Sequence, residues 1–149
     1  MTSIPDDGCL DDGGVASPAR ASIGDAVRAR LDRNPMVSRI DAPNLDIYGR
    51  QAFLSAEECA GLRTLIDSSA RPSTLFSGSA NAEYRTSHSG NLSPWDPLVE
   101  SITNRICALT GLPASHGETL QGQRYTQGQE YRVHCDYFPV TADYWQQMR

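Results

Sequence analysis

Two stretches of this chain carry an apolar stripe at helical spacing. From Ala56 to about Ser69, Cys59, Leu62, Leu65 and Ile66 fall on one face. Ser55-Ala-Glu-Glu58 just ahead reads as a capping box, and Pro72 bars continuation. In the second stretch Leu98, Ile102, Ile106 and Leu109 make the stripe, with Val99 beside it. Ser93-Pro94 reads as its N-cap and first helical residue, and Asp96 suits the positive end of the dipole. Gly111 fits a left-handed C-cap, followed by Pro113. A thinner stripe, Ile23, Val27 and Leu31, predicts a short helix capped at Ser22 and ending near Arg33, before Pro35.

Elsewhere the helical stripe is lost, and from Ile40 to Leu54 the chain alternates poorly. Ile47-Tyr48 and Phe53-Leu54 flank Gly49 and predict a short strand or turn. Residues 73–93 are rich in Ser, Gly and Asn, with a strand-like piece from Glu83 to Ser87. Two further strands are expected at Glu118–Thr126 and Glu130–Phe138, separated by Gln127-Gly128-Gln129. The first would put Gln121, Gln123 and Tyr125 on one face and Leu120, Gly122 and Arg124 on the other, which suits the wall of a wet pocket. The second, if regular, puts Arg132, His134 and Asp136 on one side and Tyr131, Val133 and Cys135 on the other.

The 149 residues suit one domain with a modest core, since 39% are hydrophobic and 7% aromatic. Three segments are expected: a disordered lead over 1–22, a short helix and linker over 23–44, and a folded part over 45–149. A net charge of −5 argues against a nucleic-acid or anionic-membrane partner, because both reward clustered Lys and Arg. No apolar run approaches the roughly 20 residues of a membrane span. The acidic N-terminus lacks the pattern of a secretory signal. Cysteines at 9, 59, 107 and 135 form no C-x-x-C pair and read as free thiols. The expected compartment is the cytoplasm.

Candidate chemistry concentrates at His134 and Asp136. With one residue between them on a strand, they leave the same face. An imidazole and a carboxylate so placed are two thirds of the facial triad that holds non-haem Fe(II). A surface pair or a structural hydrogen bond is the commoner reading of His-X-Asp alone. His88 reads as a loop or surface histidine rather than a ligand, and His116 as a loop histidine. Arg85 reads as an ion-pair partner first and a substrate contact second.

The run LQGQRYTQGQEYRVHCDYF at 120–138 resembles the prolyl 4-hydroxylase-type branch of the 2-oxoglutarate/Fe(II)-dependent dioxygenases. The likeness extends upstream through YRTSHSG at 84–90 and LTGLP at 109–113. It implies an α+β fold with helices packed on the leading strands of a double-stranded β-helix, or jelly roll. It also implies His134 and Asp136 as iron ligands, Tyr125 as a hydrogen-bond partner of the 2-oxoglutarate carboxylate, and Tyr131 lining that pocket or the substrate approach. The implied reaction hydroxylates a peptidyl residue, prolyl by analogy, releasing succinate and CO2, with ascorbate as a helper. The family's distal His and its 2-oxoglutarate-anchoring Lys or Arg lie well beyond His-X-Asp. Residues 137–149 hold no His, and their only base is Arg149. The expectation is therefore a chain truncated after His-X-Asp, with the distal strands absent. The alternative is a non-catalytic remnant that binds a peptide or protein, self-associates or pairs with a missing C-terminal half. A small α+β protein with an accidental His-X-Asp is the third reading.

Overall fold

Helix α2, Ala56–Ser69, lies on a sheet that has two glycines where side chains would stand. The computed structural model describes residues 17–43, 45–74, 84–132 and 134. Within them the order is α1 (Pro18–Asp32), β1 (Ser38–Ile40), β2 (Ile47–Gly49), α2, β3 (Arg71–Pro72), β4 (His88–Asn91), α3 (Pro97–Thr110), a 3-10 turn (Ala114–His116) and β5 (Gln121–Arg124). Strands β3, β4 and β5 form one antiparallel sheet in that order, and β1 and β2 form a separate antiparallel pair. The described residues are thus a small α+β fold.

Gly90 of β4 and Gly122 of β5 are cross-strand partners, and both are buried. A Cβ on Gly122 would collide with the Ile66 side chain. One on Gly90 would run into the Ser69 hydroxyl and come 3.0 Å from the Ile66 carbonyl oxygen. The helix can sit this close because neither strand raises a side chain beneath it. Arg124, next but one on β5, reaches Asp67 at 2.9 Å, fixing the strand along the helix.

The second layer is α3. Val99 and Ile102 are 1% and 3% exposed, and with Leu31 and Leu92 they form the buried apolar core among the described residues. A Cβ on Gly61 of α2 would lie 2.8 Å from a Leu98 methyl, so here too a glycine sets the packing distance. Arg105 ties the two helices at their ends. It donates to the Phe53 carbonyl (3.2 Å) and to Glu58 (2.6 Å), and its guanidinium lies over the Phe53 ring. Arg30 of α1 donates to the carbonyls of Ala108 (2.7 and 3.1 Å) and Leu109 (3.2 Å), which the end of α3 leaves without helical partners.

The α2 boundaries match the expected ones, because the Ser55–Glu58 capping box is complete in both directions. Two caps move. Helix α1 starts at Pro18 with Ser17 as cap, not at Ser22, so its first turn occupies residues assigned to the lead. Pro18 suits the first turn, and the Ser17 hydroxyl accepts from the Arg20 amide. Helix α3 is capped by Asp96, not Ser93: the carboxylate accepts from the amides of Leu98 (2.9 Å) and Val99 (3.4 Å). Ser93 instead closes a turn through its carbonyl, which accepts from the Asp96 amide at 3.1 Å. The expected Gly111 cap is present, with φ of 80°. No helix among the described residues is long and apolar enough to cross a membrane.

Candidate functional site

Strand β5 has one face on α2 and the other on an open cleft. Gly122 is buried against the helix, whereas Gln121, Gln123 and Tyr125 line the cleft, as the period of two requires. The polar face is internally bonded: the Tyr125 hydroxyl donates to Gln123 Oε1 (2.9 Å), and Gln121 donates to Asn91 (3.0 Å). The chain then turns. The Gln129 amide donates to the Thr126 carbonyl (3.0 Å), and the Thr126 amide donates to the Gln129 side chain (2.9 Å). Gly128 takes the left-handed backbone, φ 85°, that this turn needs.

After the turn, residues 130–132 run against residues 84–86. The Thr86 amide donates to the Glu130 carbonyl (3.0 Å) and the Arg132 amide to the Tyr84 carbonyl (3.1 Å), which makes Arg85 and Tyr131 an antiparallel pair. The strand expected over Glu130–Phe138 is therefore an isolated bridge within the described residues. Residues 133 and 135–138 lie outside them. The strand-like piece expected over Glu83–Ser87 is likewise this bridge, and the regular strand β4 begins at His88.

The cleft, about 990 Å³, brings Arg85, Gln123, Tyr125, Tyr131 and His134 together, with Glu118 and Glu130 contributing carboxylates. His134 is exposed at its wall and stacks on Tyr131, with ring centroids 3.5 Å apart and planes at 15°. Alternation had put these two residues on opposite faces. His134 Nδ1 lies 2.7 Å from the Arg132 carbonyl oxygen. A carbonyl only accepts, so Nδ1 is the donor in this contact. This is the second-contact arrangement that orients a metal-binding imidazole.

Of the sequence-proposed site residues, Tyr125, Tyr131 and His134 share the cleft. Asp136 lies outside the described residues, as does Cys135. Among the described residues no three His, Cys, Asp or Glu side chains gather into a metal-binding group. His88, expected in a loop or at the surface, stands half-buried at the start of β4, with Pro72 and Arg124 as its cross-strand partners. His116 ends the exposed 3-10 turn. Neither lines the cleft.

Sequence reasoning missed the hydroxyl cluster behind Arg85. Ser73 Oγ lies 3.0 Å from Ser87 Oγ and 2.6 Å from Ser89 Oγ, and Ser87 is 1% exposed. Arg85 donates to Ser89 Oγ (3.1 Å) and to the Thr74 carbonyl (3.2 Å). The signal available in the sequence was the period-two spacing of Ser87 and Ser89. Their partner Ser73 is too distant along the chain to be foreseen.

No family model matches the chain, and no solved structure does. Curated proteins do. The chain is 34% identical over 101 residues to a protein named probable prolyl 4-hydroxylase 4 from Arabidopsis thaliana, a match covering 64% of this chain and 33% of that one. It is 38% identical over 91 residues to probable prolyl 4-hydroxylase 3 of the same plant (58% and 32%), and 32% identical over 96 residues to prolyl 4-hydroxylase 1 (60% and 34%). The chain spans about a third of the length of these relatives. Well over half of it is thus similar to part of proteins named prolyl 4-hydroxylases.

Proposed function

We propose that this chain contributes the iron-binding side of a 2-oxoglutarate- and Fe(II)-dependent dioxygenase of prolyl 4-hydroxylase type. Its substrate is a peptidyl residue, prolyl by analogy with the names of its relatives. One atom of O2 enters the new hydroxyl group and the other enters succinate, while 2-oxoglutarate loses CO2. The observation that carries the reading is His134. Its ring stands in the polar cleft with Nδ1 tied to the Arg132 carbonyl, in a chain well over half of which is similar to prolyl 4-hydroxylases.

His134 and Asp136 would hold the metal. Fe(II), when bound, supplies the activation of O2 that couples 2-oxoglutarate decarboxylation to C–H hydroxylation, and ascorbate keeps it reduced. The protein's own part is placement. The Arg132 carbonyl accepts from His134 Nδ1 and so orients the ring. Without co-substrate the Tyr125 hydroxyl donates to Gln123 on the cleft wall, and it would turn that one proton to the 2-oxoglutarate carboxylate on binding. The sheet β3-β4-β5 and the 130–132 segment supply leading strands of the jelly roll, with α2 and α3 covering the outer side.

Anaerobic titration with Fe(II) and then 2-oxoglutarate tests this. A visible charge-transfer band that disappears in His134→Ala is expected. A folded chain with no band, or a band unchanged in His134→Ala, would overturn the assignment and favour a non-catalytic, peptide-binding role.

A further inference from the structure

We propose that Arg85 is a positioning residue: it clamps the Tyr131 ring, and Tyr131 in turn sets the plane of the His134 imidazole. The inference rests on the reading of His134 as an iron ligand, and it assigns Arg85 a task in that site.

The backbone makes the first contact. The two amide bonds that flank Arg85 and Tyr131, from Thr86 to Glu130 and from Arg132 to Tyr84, leave the pair itself without mutual hydrogen bonds. In antiparallel pairing this is the closer of the two kinds, with side chains brought together. The Arg85 guanidinium accordingly lies 4.7 Å from the Tyr131 ring centroid. Its nitrogens are held by neutral acceptors, the Ser89 hydroxyl and the Thr74 carbonyl, and Arg85 forms no ion pair among the described residues. Its Nε is buried without a hydrogen bond. A cation held in place and partly desolvated over an aromatic face is strongly attracted to it.

The Ser73–Ser87–Ser89 hydroxyl cluster holds Ser89 from behind, so the clamp is anchored to β4. Tyr84 braces the ring from the side, edge-on at 6.0 Å. What Tyr131 then offers His134 is a fixed plane: the imidazole lies 3.5 Å from it and nearly parallel. The stack and the Nδ1–Arg132 hydrogen bond together restrict the direction of Nε2. The part played by Tyr131 here belongs to its ring, not its hydroxyl.

The test begins without metal. The chain has three histidines, so the ring signals in NMR spectra of the metal-free protein are few, and His134→Ala identifies one of them. The His134 ring protons are expected upfield, under the Tyr131 ring current. Arg85→Ala should return them towards the position of an exposed histidine while His88 and His116 stay unmoved. Tyr131→Phe should keep the shift and Tyr131→Leu should abolish it. If Arg85→Ala also moves His88 and His116, Ser89→Ala replaces it under the same criterion. A His134 signal that stays upfield in the replacement overturns the clamp.

Co(II) titration adds the functional readout. Loss of a residue that orients a metal-binding imidazole weakens binding about 10-fold or more, so Arg85→Ala should do so while Tyr131→Phe does not. Wild-type affinity in Arg85→Ala overturns the positioning role. Binding that does not depend on His134 instead overturns the ligand assignment, whatever the ring shifts show.

Discussion

The imidazole of His134 lies 3.5 Å from the ring of Tyr131 and within 15° of parallel, although a regular strand sends residues three apart to opposite faces. The contact puts the proposed ligand against the cleft wall and makes the wall part of the ligand's support. It also separates two parts that Tyr131 could play. A hydroxyl that binds the co-substrate is lost in Tyr131→Phe, whereas a ring that supports His134 is not.

Tyr125 should behave differently. Its hydroxyl donates to Gln123 on the cleft wall and has no contact with His134 that the geometry requires. Tyr125→Phe is expected to weaken 2-oxoglutarate binding by about 1 kcal/mol, the worth of one hydrogen bond. Fe(II) binding should be unchanged. Sequential titration of the metal and then the co-substrate separates the two affinities. Equal 2-oxoglutarate affinity in the variant would remove Tyr125 from the site.

The glycine pair under α2 sets a stability prediction. Gly122→Ala places a methyl in the volume of the Ile66 side chain. Overpacking of this kind costs about 1–3 kcal/mol. Denaturant unfolding should show the loss, and shortening Ile66 to Ala in the same chain should recover part of it. A Gly122→Ala protein as stable as the parent would mean that α2 can lift off the sheet at little cost.

What the sequence made legible was local. Helix α2 could be bounded at both ends because Ser55, Glu58 and Pro72 act within a turn of their own positions. The two-faced character of β5 followed from alternation alone, and Gln123 and Tyr125 do share the cleft. The start of α3 was ambiguous because both Ser93-Pro94 and Asp96-Pro97 look like a cap followed by a first helical proline. Asp96 takes the role with two amide bonds, leaving Ser93 to the preceding turn. The support of His134 could not be read at all. It depends on Arg85, which is 46 residues from Tyr131 along the chain and meets it only through a backbone bridge.

The α3 cap can be checked by two single substitutions. Asp96→Ala should cost about 1 kcal/mol, since it strips the acceptor from the first amides of the helix. Ser93→Ala should cost less, because it removes only the 3.3 Å bond from the Trp95 amide and leaves intact the turn bond to the Ser93 backbone carbonyl. Thermal unfolding of the two variants ranks them. The reverse order would return the cap to Ser93.

Acid should loosen the junction between α2 and α3. The Ser55 amide first, and the Arg105 guanidinium second, hold the Glu58 carboxyl below its ordinary range, against a smaller opposing effect of burial. A carboxyl whose pKa is lower in the folded chain than in the unfolded one stabilises the fold above the unfolded value. That contribution begins to fade as pH falls through the ordinary carboxylate value near 4.5 and is gone below the lower folded one. Glu58→Gln removes the charge at every pH but keeps an acceptor for the Ser55 amide. Compared with the parent, this variant should be less stable at neutral pH and should lose less stability between pH 6 and pH 3, about the range where free carboxylates titrate. Parallel stability curves for the two proteins across that range would show that the Glu58–Arg105 contact does not couple the helices to pH.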